Sequence, residues 1–165
     1  MAVVELLQPH HDRKSFRCGK PALDEFLHRQ ARQNADRNLG VAHVVVESTG
    51  SSEILGYYTL VTRTIDRSPI PAKGMPAGPV GVVLLGRLAV SAPAQGKGLG
   101  RLMLLRAIRQ TEEASRVIGA FALVLDAVDE DARGWYRSLN WGFQELLDDP
   151  KHLYLAVDTI RALGI

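Results

Sequence analysis

The chain has 165 residues, 46% of them apolar and 23% charged, with a formal net charge of +2. That is the size and balance of one globular domain, here 1–165, able to bury roughly 70% of its unfolded surface without a metal or a disulfide. The single cysteine, Cys18, excludes an intrachain disulfide. No apolar run approaches the ~20 residues of a membrane span, and the opening "MAVVELLQPHHDRKSF" lacks a basic region ahead of its short apolar stretch, so a cytoplasmic protein with no membrane partner is expected.

"AVVELL" (2–7) is a short strand. Residues 20–38 are helical: Pro21 suits a first turn, Leu23, Phe26, Leu27 and Ala31 recur at helical spacing, and a break near Gln30 is compatible with the pattern. "VAHVVVES" (41–48) and "EILGYYTLVTRTI" (53–65) form a hairpin across "TGSS". Residues 66–80 hold four of the eight prolines and form a loop. The nearly continuous apolar run 81–92 is a fourth strand buried on both faces. A helix over 98–117, a buried strand over 119–128 and a short helix over 129–140 follow, the last with acids in its first turn. Strands at 141–147 and 152–158 close the chain. The order β-α-β-β-β-α-β-α-β-β predicts an α/β class of fold, an α+β mixed sheet flanked by helices.

At the junction of the fourth strand and the long helix stands "SAPAQGKGLGRL". A helix start offers unpaired N–H groups and the positive end of the dipole. Glycines let such backbone approach a phosphate, and Lys97 and Arg101 add charge. Neither a Walker A motif nor a dinucleotide-binding G-x-G-x-x-G with its distal acid is present. The same glycines also suit a plain strand-to-helix turn.

Gln95, Gly98 and Gly100 fall in the defining places of the Q/R-x-x-G-x-G/A motif, which resembles that of the GNAT N-acetyltransferases. "RLAVSAPAQ" is similar to that family's fourth strand, and "WYRSLNWGF" to its last helix-to-strand segment, with the element order matching from 2 to about 158. The resemblance implies a GNAT fold, a mixed, mostly antiparallel sheet splayed between strands four and five, and acetyl-CoA as cosubstrate. It implies that the backbone of Gly96, Lys97, Gly98, Leu99, Gly100 and Arg101 holds the pyrophosphate, with Gln95 also among the coenzyme-binding residues, and that Leu88, Ala89 and Val90 pair with the pantetheine arm as an added strand. Gly86 just upstream suits either a bulge or close packing.

No nucleophile constellation stands out: Cys18 has no readable His/Asp pairing, and a buried structural thiol is the commoner case. His10, His11, His28, His43 and His152 show no metal-ligand spacing, so no metal is expected. Direct transfer of the acetyl group to an amine remains, with a strand-four N–H at Val90 as an oxyanion donor. The resemblance places the general acid at Tyr136, whose phenol (pKa ~10) is protonated at neutral pH. A packing tyrosine is the alternative, and Trp135 beside it is expected in the core. No base is evident, since Glu53 lies near a turn. An α-amine acceptor (pKa ~7.7–8.0, against ~10.4 for lysine) needs least help.

Arg29 and Arg32 lie opposite the apolar face of the first helix, with Arg37 at the boundary and His28 and Gln33 beside them. With Arg63, Arg67, Lys73 and Arg87 they make a patch fit for a phosphate backbone, or simply a solvated charged face. Phe16, Cys18, Gly19, Leu23, Asp24, Phe26 and Leu27 fill an F-x-C-G-x-x-x-L-D-x-F-L opening that resembles the acetyltransferase toxins of type II toxin–antitoxin modules. That narrower resemblance implies acetylation of the α-amine of aminoacyl-tRNA, arrest of translation, a homodimer and a ribbon–helix–helix antitoxin as partner. Arg29, Arg32, Arg37 and Arg87 are then tRNA-contact candidates on their chemistry. An acetyltransferase of a small amine or a protein N-terminus is the second reading, and a non-catalytic acyl-CoA-binding module the third.

Overall fold

The computed structural model describes residues 2–71 and 74–165. Lys73, named above in the basic patch, lies outside the described residues. The chain forms two compact units, Met1–Val61 with Gly86–Arg106, and Thr62–Leu85 with Ala107–Ile165. Two long strands, β3 (Gly56–Asp66) and β4 (Pro79–Val90), run through both.

In the first unit, β1 (Val3–Leu6) pairs antiparallel with β2 (Val41–Val46), and β2 with β3. Between β1 and β2 come α1 (Pro21–Arg29) and α2 (Ala31–Asp36). Pro21 opens α1, where its missing N–H costs nothing. The break that the pattern left open occurs at Gln30, which ends α1 with its N–H bonded to Phe26 O and opens α2. Phe16, Phe26, Leu27, Ala31, Val44, Val46 and Tyr57 make one core, the aromatic rings of Phe16 and Phe26 both against Tyr57. After β4 a short 3-10 turn, Ala92–Ala94, leads into α3 (Leu99–Val117).

In the second unit, β5 (Ala122–Asp126) pairs parallel with β4 and antiparallel with β7 (His152–Ala156), which pairs antiparallel with the two-residue β6 (Gln144–Glu145). α4 (Glu130–Ser138) joins β5 to β6, and α5 (Val157–Leu163) ends the chain. The sheet order is β1-β2-β3-β4-β5-β7-β6. Ile70, Val82, Ala122, Val124, Leu146 and Tyr154 form this unit's own core. The mixed-sheet expectation is met. Among the described residues no helix is long and apolar enough to cross a membrane.

Several boundaries and one expected burial differ from the sequence reading. β3 begins at Gly56 rather than 53, so Glu53 precedes it, exposed, in an isolated bridge with Asp12. Over 141–147 only Gln144–Glu145 is strand, because Asn140 (φ 57°) and Gly142 (φ 104°) turn the chain where extended backbone was expected. β7 stops at Ala156, and 157–163 is an unforeseen helix that buries Val157 and Ile160 one turn apart and is capped by left-handed Gly164. Trp135 is half-buried, whereas its neighbour Tyr136 is buried.

One half-buried group is expected to make the fold pH-sensitive. His43 stacks on Tyr58 at 4.9 Å, and burial first, then Arg106, depress its pKa to about 4. The folded state therefore refuses a proton that the unfolded chain accepts below about 6.5. Stability is expected to fall by up to about 1.4 kcal/mol per pH unit between those values. Urea unfolding at pH 7 and 5 should show a steeper loss for wild type than for His43→Phe; equal losses would remove His43 from the account.

Candidate active site

The glycine-rich junction lies in the first unit. Ser91 N–H bonds to Leu55 O (2.8 Å) and Ala92 N–H to Arg17 O (2.7 Å), so the chain leaves β4 tied to its neighbours. Gln95 donates from Nε2 to Val90 O (3.0 Å) and Cys18 O (2.9 Å). Its side chain therefore shapes the loop. Gly96 and Gly98 have φ of 80° and 82°, and a Cβ at either would meet nothing within 4 Å. Left-handed backbone and open space together suit a bulky anion at the start of α3. Lys97 and Arg101 are exposed beside it, and Gly100 lies in the first turn of α3.

Upstream, the parallel ladder of β4 with β5 covers Val83–Leu85, and β4 continues to Val90. Leu88, Ala89 and Val90 are thus strand residues beyond that ladder, the place an added strand needs. Gly86 is a packing accommodation: a Cβ there would stand 2.9 Å from Thr59 Oγ1.

Tyr136 lies on α4 in the second unit. Asp129 caps this helix by accepting from Ala132 N–H at 2.8 Å. Glu145 of β6 receives both Arg133 and Arg137, and Arg133 also bonds to Glu130. These contacts hold α4 at a residue three positions from Tyr136 and at the next one along. The Tyr136 ring meets Trp135 and Phe143 edge-on, at 5.0 and 5.7 Å, and burial pushes its phenol well above the usual range. The proton stays on at any working pH.

The basic candidates differ in what they already touch. Arg29 is exposed and pairs with Glu25 at 2.9 Å. Arg32 is half-buried on α2, and Arg37 caps α2, exposed. Arg87 lays its guanidinium 3.6 Å from the centre of the Phe26 ring, an unforeseen cation–π contact that gives it an internal role. Arg63, in the second unit, pairs with Asp126 at 3.5 Å. Arg67, also there, is half-buried with an unbonded Nε. Gln33 is exposed, while His28 is half-buried and bonded to the loop before α1.

Cys18 is buried, its thiol pushed up to about 11 by burial, as befits a structural residue. The loop after β1 places Glu5, His10 and His11 together, which their spacing did not foretell. His11 Nδ1 accepts from Gln8 N–H (2.8 Å), so its ring proton sits on Nε2 and faces Glu5 (2.7 Å). Both ring nitrogens of His11 are thereby engaged.

The acetyltransferase (GNAT) family model matches residues 4–141. A curated relative from Mycobacterium tuberculosis (strain ATCC 25618 / H37Rv), described as a tRNA-acetylating toxin, is 33% identical over 155 residues, 92% of this chain and 90% of its own length. The solved structure of AtaT complexed with acetyl-methionyl-tRNAfMet has a TM-score of 0.91 at 28% identity, all of both chains being covered. A tyrosine-to-phenylalanine mutant of AtaT, bound to the C-terminus of the antitoxin AtaR and acetyl-CoA, has a TM-score of 0.85 at 28% identity over 99% of this chain and 98% of its own.

Proposed function

Because this chain belongs to the acetyltransferase (GNAT) family, we propose that it is a toxin that moves an acetyl group from acetyl-CoA to the α-amine of aminoacyl-tRNA and so stops translation. The observation that carries the coenzyme half is the open, left-handed Gly96–Gly98 turn at the head of α3. The acceptor half is supported by the Mycobacterium relative, alike over nearly its whole length. On this reading residues 1–165 act as one cytoplasmic catalytic domain, homodimeric and held in check by a ribbon–helix–helix antitoxin, as the narrower sequence resemblance implies.

Bound at the turn, the coenzyme supplies an acetyl thioester. The N–H groups from Gly96 to Arg101, with Lys97 and Arg101, neutralise its diphosphate. The edge at Leu88, Ala89 and Val90 pairs with the pantetheine amides, and Val90 N–H stabilises the carbonyl oxygen as it gains charge. The amine nitrogen forms the new C–N bond as the C–S bond breaks. Tyr136 gives its phenolic proton to the departing sulfur and recovers one from solvent, and the proton lost by nitrogen passes to water. No side chain is assigned as base: Glu53, exposed outside β3, has no place in the proposal.

Labelled acetyl-CoA incubated with total charged tRNA tests the whole reading. Label should appear on the aminoacyl end, and label on small amines alone would overturn it. Arg29 and Arg32 give a finer check. The exposed Arg29–Glu25 pair is worth little and is free to exchange for phosphate. Replacing both arginines by glutamate should lower kcat/KM for charged tRNA at least about tenfold, flatten its logarithmic salt dependence by roughly two, and spare coenzyme affinity. An unchanged salt slope would remove these residues from the interface.

A further inference from the structure

The F-x-C-G-x-x-x-L-D-x-F-L opening contributes nothing to the chemistry above. Its buried cysteine is not a nucleophile, and its aspartate, Asp24, is buried although its side chain is polar. The hydrogen bonds explain the pattern. Cys18 N–H donates to Asp24 Oδ1 at 2.9 Å, while Cys18 O accepts from Gln95 Nε2 at 2.9 Å. One residue thus touches the first turn of α1 on one side and the glycine-rich loop on the other. Ala92 N–H repeats the loop contact one residue earlier, at Arg17 O (2.7 Å).

The same segment grips the far end of α1. Arg17 Nη1 lies 2.8 Å from His28 Nε2 and donates to Phe16 O (2.7 Å), His28 Nε2 is itself 2.8 Å from Phe16 O, and Arg13 Nη1 donates to His28 O (3.2 Å). Tyr57 Oη donates to Leu23 O at 2.6 Å, and Arg87 of β4 covers Phe26. α1 is therefore bonded near both its ends to the segment that also holds the loop. Both amide protons of Gln95 are committed. The Cys18–Asp24 bond is buried and the Cys18–Gln95 bond part-buried, so a shift at one of these members strains the next.

Building on the proposed function, we propose that the segment Phe16–Lys20 couples the coenzyme loop to α1, and that Asp24 is a positioning residue for the acceptor. α1 carries Arg29 and leads into Arg32, so fixing it sets the acceptor surface. Coenzyme bound at Gly96–Arg101 stiffens the loop, Gln95 and Cys18 relay this to Asp24, and acceptor binding improves. By linkage the acceptor tightens coenzyme binding by the same factor.

Backbone hydrogen exchange of the full chain, with and without coenzyme A, tests the coupling, and calorimetry on the same samples reports binding. In wild type, coenzyme A should slow the α1 amides about five- to tenfold, the low end of typical coupling between sites. Asp24→Leu should bind coenzyme A within about twofold of wild type, lose the slowing in α1, and show a raised acceptor KM at nearly unchanged kcat. Asp24→Asn, whose amide oxygen still accepts from Cys18 N–H, should restore both. If coenzyme A binds wild type and leaves α1 exchange unchanged, or if Asp24→Leu keeps the full slowing, the coupling is wrong while the acetyltransfer reading stands. Absence of any coenzyme A binding would overturn that reading and the coupling with it. The wild-type comparison decides even if the leucine variant does not fold.

Discussion

Tyr136→Phe is expected to slow acetyl transfer by about 10²- to 10⁴-fold, the usual worth of a positioned general acid, with coenzyme affinity nearly unchanged. Phenylalanine keeps the ring that packs edge-on against Trp135 and Phe143, so stability should move by no more than about 1 kcal/mol. Only the proton is lost. Burial raises the phenol's pKa, so the acid form persists well above neutrality and imposes no alkaline limb of its own. The rate should instead rise with pH as the acceptor amine loses its proton, in wild type and variant alike. Single-turnover release of free thiol measures the step. Equal rates in the two proteins would leave Tyr136 with a packing role alone.

Much of this arrangement is written in local pattern. The run 81–92 announces a buried strand because it is apolar at nearly every position, and the helix after it because Leu102, Leu104, Leu105 and Ile108 recur at helical spacing. The glycine turn is legible because Gly96 and Gly98 do what few other residues tolerate. What escaped reading was tertiary. Nothing in the sequence says that Arg87 will stack on Phe26 sixty-one positions earlier, the difference of their numbers. Gln95 stands in the motif, but nothing in the sequence says that its amide serves two backbone carbonyls. α5 escaped because "HLYLAVD" alternates like a strand up to the point where Val157 and Ile160 turn inward together. The cluster of Glu5 with His10 and His11 depends on a loop folding back, which spacing does not encode.

The largest effect on coenzyme binding should come from Gly98→Val. A side chain there must adopt φ near 82°, a left-handed conformation costing about 1–2 kcal/mol in any L-residue and more in a β-branched one. Because no atom lies within 4 Å of the new Cβ, the free protein meets that strain and no clash. The isopropyl group fills the space proposed for the diphosphate, so coenzyme affinity should fall at least about 100-fold, which is 2.7 kcal/mol or more. Strain and occlusion can be told apart. Gly50, in the hairpin turn before β3, has φ 85° and equally open surroundings, so Gly50→Val carries a similar backbone penalty away from the loop. Calorimetric titration with coenzyme A should find Gly50→Val close to wild type and Gly98→Val without measurable heat. Were both variants to bind alike, the glycines would be serving the turn and not a ligand, and the anion-binding role of the α3 start would have to be abandoned.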